Sequence, residues 1–301
     1  MLANKLRARA SNPRFATICD RQGNPKHQPK HIADCFADYY NSLYNLTSDN
    51  ETHQPTNRYI STFLQEVHLP QLTEDLHQTL AAPISLFELT SAIKGLPNGK
   101  APGPDGFMAH YYKSFPELYP KLLLFFQSIF KYGQPPKDWL SAHIVTLPKM
   151  VPPSSQCSQY RPISLLNVDT KLYAKILANR LSEVLPLLIS DNQVGFIKNR
   201  QGADNTLKVL LIVDHAVQVS QPILLLSLDA EKAFDWVNWS FLLHTQNKFG
   251  FPGTLISAIK GLYTHPSARV LNAGFASDPI SITNGMRQGC PLSPLLYALV
   301  L

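Results

Sequence analysis

The sequence predicts an α+β fold, and three kinds of signal carry that reading. Apolar residues recur at helical spacing behind recognisable caps in several stretches. Two short β-like runs, 143–148 and 162–166, flank a turn rich in proline and serine, as in an antiparallel pair. One almost continuously apolar run, PILLLSL at 222–228, has the character of a central strand covered on both faces. With 301 residues, 45% hydrophobic and 16% charged, the chain is long enough for two domains, or one large one with an arm, and apolar enough to bury a core.

In chain order, residues 1–44 read as a basic, turn-rich arm ending in an amphipathic stretch, with Ile32, Phe36, Tyr39, Tyr40 and Leu43 on one helical face. Residues 45–84 are polar with scattered prolines and read as a linker. Ser85 and Glu88 have capping-box spacing, and Leu86, Leu89 and Ile93 follow until Gly95 and Pro97 end the run. The segment NGKAPGPDG (98–106) is too rich in glycine and proline for regular structure. Ser114 and Pro116 open a helix through Leu122, Phe125, Phe126, Ile129 and Phe130 that Gly133 closes. A longer helix is expected over 171–185, ended or kinked by Pro186. Another runs through Leu207, Leu210, Leu211, Val213 and Val217. After the apolar run, 232–249 reads as a helix and 269–271 with 280–283 as a strand pair. Ser293 and Pro294 read as N-cap and N1 of a last helix. That helix runs uncapped to Leu301, from which a truncated domain is expected.

Charge and cysteine content narrow the function classes. There are 27 basic and 21 acidic residues, and the whole +6 excess lies in residues 1–33. A basic arm on a neutral body is suited to phosphate binding through counterion release, and equally to life as a solvated tail. Cys19, Cys35, Cys157 and Cys290 form no CxxC pair, which speaks against a zinc site or a disulfide framework and for a reducing compartment. His27 and His31 are four apart, but Pro29 intervenes and no glutamate completes a metalloprotease pattern. No apolar run reaches the length of a membrane span, so no membrane partner is expected.

The chemistry centres on LDAEKAFDWV (228–237). A carboxylate at the end of a buried strand is rigid yet reaches solvent, where it can hold a hard cation such as Mg²⁺. On this stretch alone, Asp229 serves equally well as a metal ligand, joined by the carbonyl of Ala230, or as a cap for the following helix.

This decapeptide resembles the block that carries the first catalytic aspartate in the reverse transcriptases of LINE-type (non-LTR) retrotransposons. Four more blocks resemble the same family in the same order: KAPGPDGF (100–107), LPK…YRPISLLN (147–167), DNQVGFI…RQG (191–202) and GMRQGCPLSPLLYALVL (285–301). The KAPGPDGF and RPISLLN forms are closer to that lineage than to retroviral or group II intron enzymes. The resemblance implies right-hand polymerase fingers with an incomplete palm and a helical N-terminal linker. Its boundaries would be an arm at 1–66, fingers at 67–220 and partial palm at 221–301.

It also implies RNA-directed DNA synthesis, with an RNA template, a DNA primer and dNTP as partners and two Mg²⁺ ions as cofactors. Asp229, with Ala230, would hold metal. Lys149 and Arg161 would contact the triphosphate, Phe234 would exclude a ribose 2′-hydroxyl, and Gln288 and Gly289 would lie beneath base and sugar. Lys198 and Arg200 would meet template phosphates. Asp235 reads as a helix-start or supporting carboxylate. Plainer readings stand beside these: Lys149 as a surface lysine, Arg161 as a partner of Asp169, Phe234 as core, Gly289 as a turn residue, and Lys198 with Arg200 as ordinary loop cations.

The departure is the family's second block, an aromatic, one variable residue and two adjacent aspartates on a hairpin. No Asp-Asp dipeptide occurs here. Two-metal chemistry needs several carboxylates, so Asp229 alone is expected to leave the chain inactive. The absent hairpin would pair beside 223–228, so that edge is expected to be open and the chain prone to aggregate. The alternative is a non-catalytic remnant kept for nucleic-acid binding.

Overall fold

A computed structural model describes residues 17–45 and 57–301. Residues 1–16 of the basic arm and 46–56 of the expected linker lie outside the described residues. The first element is a two-residue antiparallel pair, β1 (Ile18–Cys19) with β2 (Pro25–Lys26). Helix α1 (Pro29–Tyr44) then presents the predicted stripe: Ile32, Phe36, Tyr40 and Leu43 are buried and Tyr39 is half-buried. Its inner aromatics form a row at i, i+4 spacing, with ring centroids 6.2 Å apart for Phe36–Tyr40 and 6.0 Å for Tyr40–Tyr44.

The stretch expected to be a linker contains two short helices, α2 (Asn57–Glu66) and α3 (Glu74–Ala81). Their buried anchors are few, Ile60 and Leu64 in the first and Leu80 in the second, so tertiary packing rather than pattern strength makes them helical. Helix α4 (Leu86–Lys94) has the full capping box, Glu88 N to Ser85 Oγ at 3.2 Å and Ser85 N to Glu88 Oε2 at 2.8 Å. Helix α5 (Ala109–Ser114) and, after one 3₁₀ turn, α6 (Tyr119–Tyr132) follow the irregular 98–106 segment, and Gly133 caps α6.

The sheet is mixed. Strand β3 (Ser141–Pro148) pairs antiparallel with β4 (Tyr160–Leu165), with Val145 opposite Ile163, as the sequence predicts. On its other side β3 pairs in parallel with β5 (Ser267–Asn272), with His143 opposite Arg269. Strands β6 (Phe275–Ala276) and β7 (Ile280–Ser281) both add antiparallel to β5. Helix α7 (Val168–Leu188) is the spine of the core, with Leu172, Tyr173, Ile176, Leu177 and Leu181 fully buried. Pro186 lies within its last turn and does not end it. Around it Phe126, Trp139 and Tyr173 form a knot with centroids 5.4–5.7 Å apart. The buried side chains of α1, the sheet and the C-terminal helices form one contiguous core.

Three expectations are corrected. The 222–228 run is not a strand: it has no regular pairing, and Leu224, Leu226 and Leu228 are 91%, 75% and 84% exposed. Apolar composition records a preference for burial, but a strand needs hydrogen-bonding neighbours, and the described residues offer none there. The preceding helix, α8 (Gly202–Gln218), forms as predicted, yet Leu207, Leu210, Leu211 and Val217 are exposed. The helix expected over 232–249 starts late, as α9 (Trp239–Lys248), where the Asn238 side chain accepts from Phe241 N at 2.9 Å. Residues 231–236 form turns instead, because their backbone bonds to 285–286: Met286 N donates to Phe234 O (2.7 Å) and Gly285 N to Val237 O (2.9 Å). Helix α10 (Gly253–Leu262) and α11 (Ser293–Val300) complete the fold. Ser293 is the first residue of α11 rather than its cap. No described helix is long and apolar enough to cross a membrane.

Candidate functional site

The site is built where three stretches meet: the open end of the β3–β4 pair, the turns at 231–237 and the loop at 283–289. Beyond Pro148 the chain leaves β3, and Lys149 N donates back to Gln159 O at 2.9 Å, so its side chain is held at the mouth of the pair. The ammonium of Lys149 donates to Ser158 O at 3.1 Å. Arg161, the second residue of β4, points away from the core; among the described residues it makes no ion pair, and Asp169 instead accepts from Trp139 Nε1 at 2.8 Å. On the next strand position but two, Ser164 N donates to Gln288 O at 2.7 Å, which stitches the 283–289 loop to β4. Gly289 follows with φ +107°, and a Cβ there would lie 2.8 Å from Ser164 O. Any side chain would push the loop off the strand.

Two adjoining cavities result, each of about 280 Å³. The polar one gathers Lys149, Arg161, Ala230 and Gln288, four of the residues singled out from sequence. It adds Lys232 and Asp235 from the turns, and Tyr39, Tyr40 and Leu43 from α1. The second shares Lys232 and Gln288 and contains Phe234 and Gly289. The Phe234 ring stacks on Tyr297 at 4.8 Å and meets Phe196 edge-on at 6.0 Å, so it is held between α11 and the 191–202 loop.

Electrostatics distinguish Asp235. It is 3% exposed, and burial pushes its carboxyl up from the usual carboxylate value. Bonds from Tyr44 and Gln288 and the nearby charges of Lys232 and Lys149 oppose that rise without cancelling it. Lys232 has a left-handed backbone, φ +53°, and places its ammonium 5.4 Å from the Tyr39 ring centre. Burial pulls the Lys232 ammonium down, but Tyr39, Glu231 and Asp235 outweigh it and hold the group above its ordinary value.

The remaining predicted residues lie elsewhere. Asp229 is exposed and lines neither cavity, although its neighbour Ala230 does. Among the described residues no three His, Cys, Asp or Glu side chains come together as a metal site. Asp229 with the Ala230 carbonyl supplies too few ligands by itself for a two-ion centre. Lys198 pairs with Glu183 at 2.8 Å. Arg200 donates to the carbonyls of Ser190, Gln193, Pro186 and Ile189 at 2.5, 2.8, 3.0 and 2.9 Å, and so clamps the end of α7. In the described part of the arm, Lys26 pairs with Asp20 at 3.1 Å and Lys30 with Asp34 at 2.8 Å.

Residues 147–301, which line the whole of the second cavity and the polar one except for its α1 side, match the family described as reverse transcriptase (RNA-dependent DNA polymerase). The chain belongs to the reverse transcriptases. Its relatives place it with those of the non-LTR retrotransposons. It is 30% identical over 280 residues to the transposon TX1 uncharacterized 149 kDa protein of Xenopus laevis, covering 93% of this chain and 21% of that one. It is 30% identical over 275 residues to the probable RNA-directed DNA polymerase from transposon BS of Drosophila melanogaster, covering 88% and 29%. A third relative is the RNA-directed DNA polymerase from mobile element jockey of the same fly, 28% identical over 218 residues, 71% of this chain and 24% of that one. The chain thus spans under a third of the length of each. Sequence reasoning missed Tyr39, Tyr40 and Lys232 as cavity residues of this reverse transcriptase. The helical stripe marked both tyrosines as core, and Lys232 stood within the aspartate block without a role.

Proposed function

We propose that this chain forms the nucleotide-binding part of an RNA-directed DNA polymerase. The observation that carries the reading is the convergence of Lys149, Arg161, Lys232 and Gln288 on one polar cavity from three separate stretches of sequence. Lys149 and Arg161 flank the mouth, where cationic donors suit triphosphate oxygens; the planar guanidinium suits them best because it can grip two at once. Gln288 and Gly289 would support the base and sugar, and the Phe234 ring in the adjoining cavity would take the volume that a ribose 2′-hydroxyl needs. Right-hand fingers at 67–220 and a partial palm at 221–301 belong to the same proposal. So do Asp229 as a ligand to Mg²⁺ in an assembly that supplies further carboxylates, and the RNA template and DNA primer.

The test is equilibrium binding of dATP and of inorganic tripolyphosphate to the chain. Both are expected to bind. Lys149→Ala with Arg161→Ala removes two charge-assisted contacts, of about 1.5–3 kcal/mol each, and should weaken both ligands at least tenfold. Absence of binding by either ligand, alongside salt-dependent binding of RNA, would favour a nucleic-acid-binding remnant instead.

A further inference from the structure

We infer that Asp235, anchored by Tyr44 of helix α1, is a positioning residue that sets which atoms Gln288 shows to the nucleotide. The inference rests on the nucleotide-binding reading above. Asp235 is an ionisable group buried to 3% exposure at the floor of the polar cavity. A carboxylate in such a place is costly unless its oxygens are bonded. The Tyr44 hydroxyl donates to Oδ1 at 3.2 Å, and the Gln288 side chain lines the same cavity and helps to hold the carboxyl down against the rise from burial.

An ionised carboxylate only accepts, so Gln288 must turn its Nε2 toward Asp235. Its Oε1 is then the end of the amide left to face elsewhere, and the flipped amide is excluded. The backbone of Gln288 is fixed independently by Ser164 N at 2.7 Å. The loop holds the residue, and Asp235 chooses its orientation.

Tyr44 brings the chain's upstream helix into this arrangement. Its own carbonyl accepts from Thr283 Oγ1 at 2.7 Å and Thr283 N at 3.3 Å. Asn284 Nδ2 donates to Asp235 O at 3.4 Å. The end of α1, the turn carrying Asp235 and the loop carrying Gln288 are therefore one hydrogen-bonded unit. Displacing α1 would free the Gln288 amide while leaving Lys149 and Arg161 in place.

The experiment compares dATP with inorganic tripolyphosphate on the wild-type chain, Asp235→Asn, Tyr44→Phe, and each combined with Gln288→Ala. Asparagine can bond either end of a Gln288 amide, and phenylalanine removes only the anchoring hydroxyl. Both single variants should weaken dATP about fivefold to twentyfold, the range of one or two lost bonds to a charged group. Tripolyphosphate should stay within about twofold for Tyr44→Phe. It should bind no more weakly for Asp235→Asn, since loss of a negative charge near Lys149 and Lys232 cannot repel an anion. In the Gln288→Ala background neither change should weaken dATP further. If the Asn variant fails to fold, Tyr44→Phe decides alone. Unchanged dATP binding, equal weakening of both ligands, or additive losses with Gln288→Ala overturn this inference while the triphosphate seat stands. A wild-type chain that binds neither ligand overturns both.

Discussion

Gly285 and Gly274 share nearly the same backbone, φ +84° and +87°, but differ in what surrounds them. A Cβ on Gly285 would lie 2.7 Å from Asp235 O and 3.0 Å from Asp235 C and Cα, whereas a Cβ on Gly274 meets nothing within 4 Å. Replacing either with alanine imposes the left-handed backbone on an L side chain, at a cost of about 1–3 kcal/mol. It also stiffens the unfolded chain by a similar amount in both. Only Gly285→Ala adds a clash with backbone atoms that cannot rotate away, an overpacking cost of about 1–3 kcal/mol. Gly285 is moreover tied down on both sides, its N donating to Val237 O at 2.9 Å and its O accepting from Trp239 Nε1 at 2.7 Å. We therefore expect Gly285→Ala to lose about 1–3 kcal/mol more than Gly274→Ala. Urea unfolding followed by far-ultraviolet dichroism and tryptophan fluorescence measures the difference, provided the two probes coincide and the slopes match. Equal losses would refute the claim that close approach of the 283–289 loop to Asp235 shapes the site.

Arg180 is nearly buried and bonds to both Glu88 oxygens, at 2.6 and 3.0 Å, and to the carbonyls of Leu80, Ala82 and Pro83. Arg180→Met should cost toward the low end of about 3–5 kcal/mol, because Glu88 keeps some solvent access. Burial raises the Glu88 carboxyl, but the Arg180 and Ser85 bonds outweigh it and hold it below 4.5. The stabilisation is therefore complete above that value and lost as pH falls through the lowered folded pKa. The gap between wild type and variant in urea midpoint should shrink on acidification below 4.5 and stay constant above it. Leu224→Ser with Leu226→Ser should reduce self-association in light scattering while changing stability by less than about 0.5 kcal/mol; unchanged association would mean another surface drives it. Arg200→Lys keeps the charge but cannot span four carbonyls, so hydrogen-exchange protection across 191–200 should fall about tenfold or more. If protection is retained, the clamp is not what orders that loop.

Features with local causes were legible in the sequence. The Ser85–Glu88 box, the Gly133 stop and the β3–β4 pair each depend on residues close together in the chain, and each forms where the pattern places it. Non-local features were not legible. The parallel pairing of β3 with β5 joins residues more than a hundred positions apart, and no local pattern names such a partner. The 222–228 run shows the converse: its composition is that of a core strand, yet it stands without one. The same limit governs the site. Family blocks pointed to Lys149, Arg161, Phe234 and Gln288, each inside a recognisable stretch. Asp235 owes its burial and its bond to Tyr44, 191 residues away, which no spacing rule could supply.

The joining of Tyr44 to Thr283 across 239 residues also sets a schedule. At about 5–20 residues per second, a ribosome takes about 12–48 s to travel from one to the other. For most of that interval the aromatic row of α1 has no β5 to lie on, and its last tyrosine has no Asp235 to bind. The nascent chain must hold an apolar helix in reserve while α6 and α7 assemble behind it. Chaperone occupancy during synthesis should accordingly peak on α1 and drop once the loop at 283–289 clears the exit tunnel.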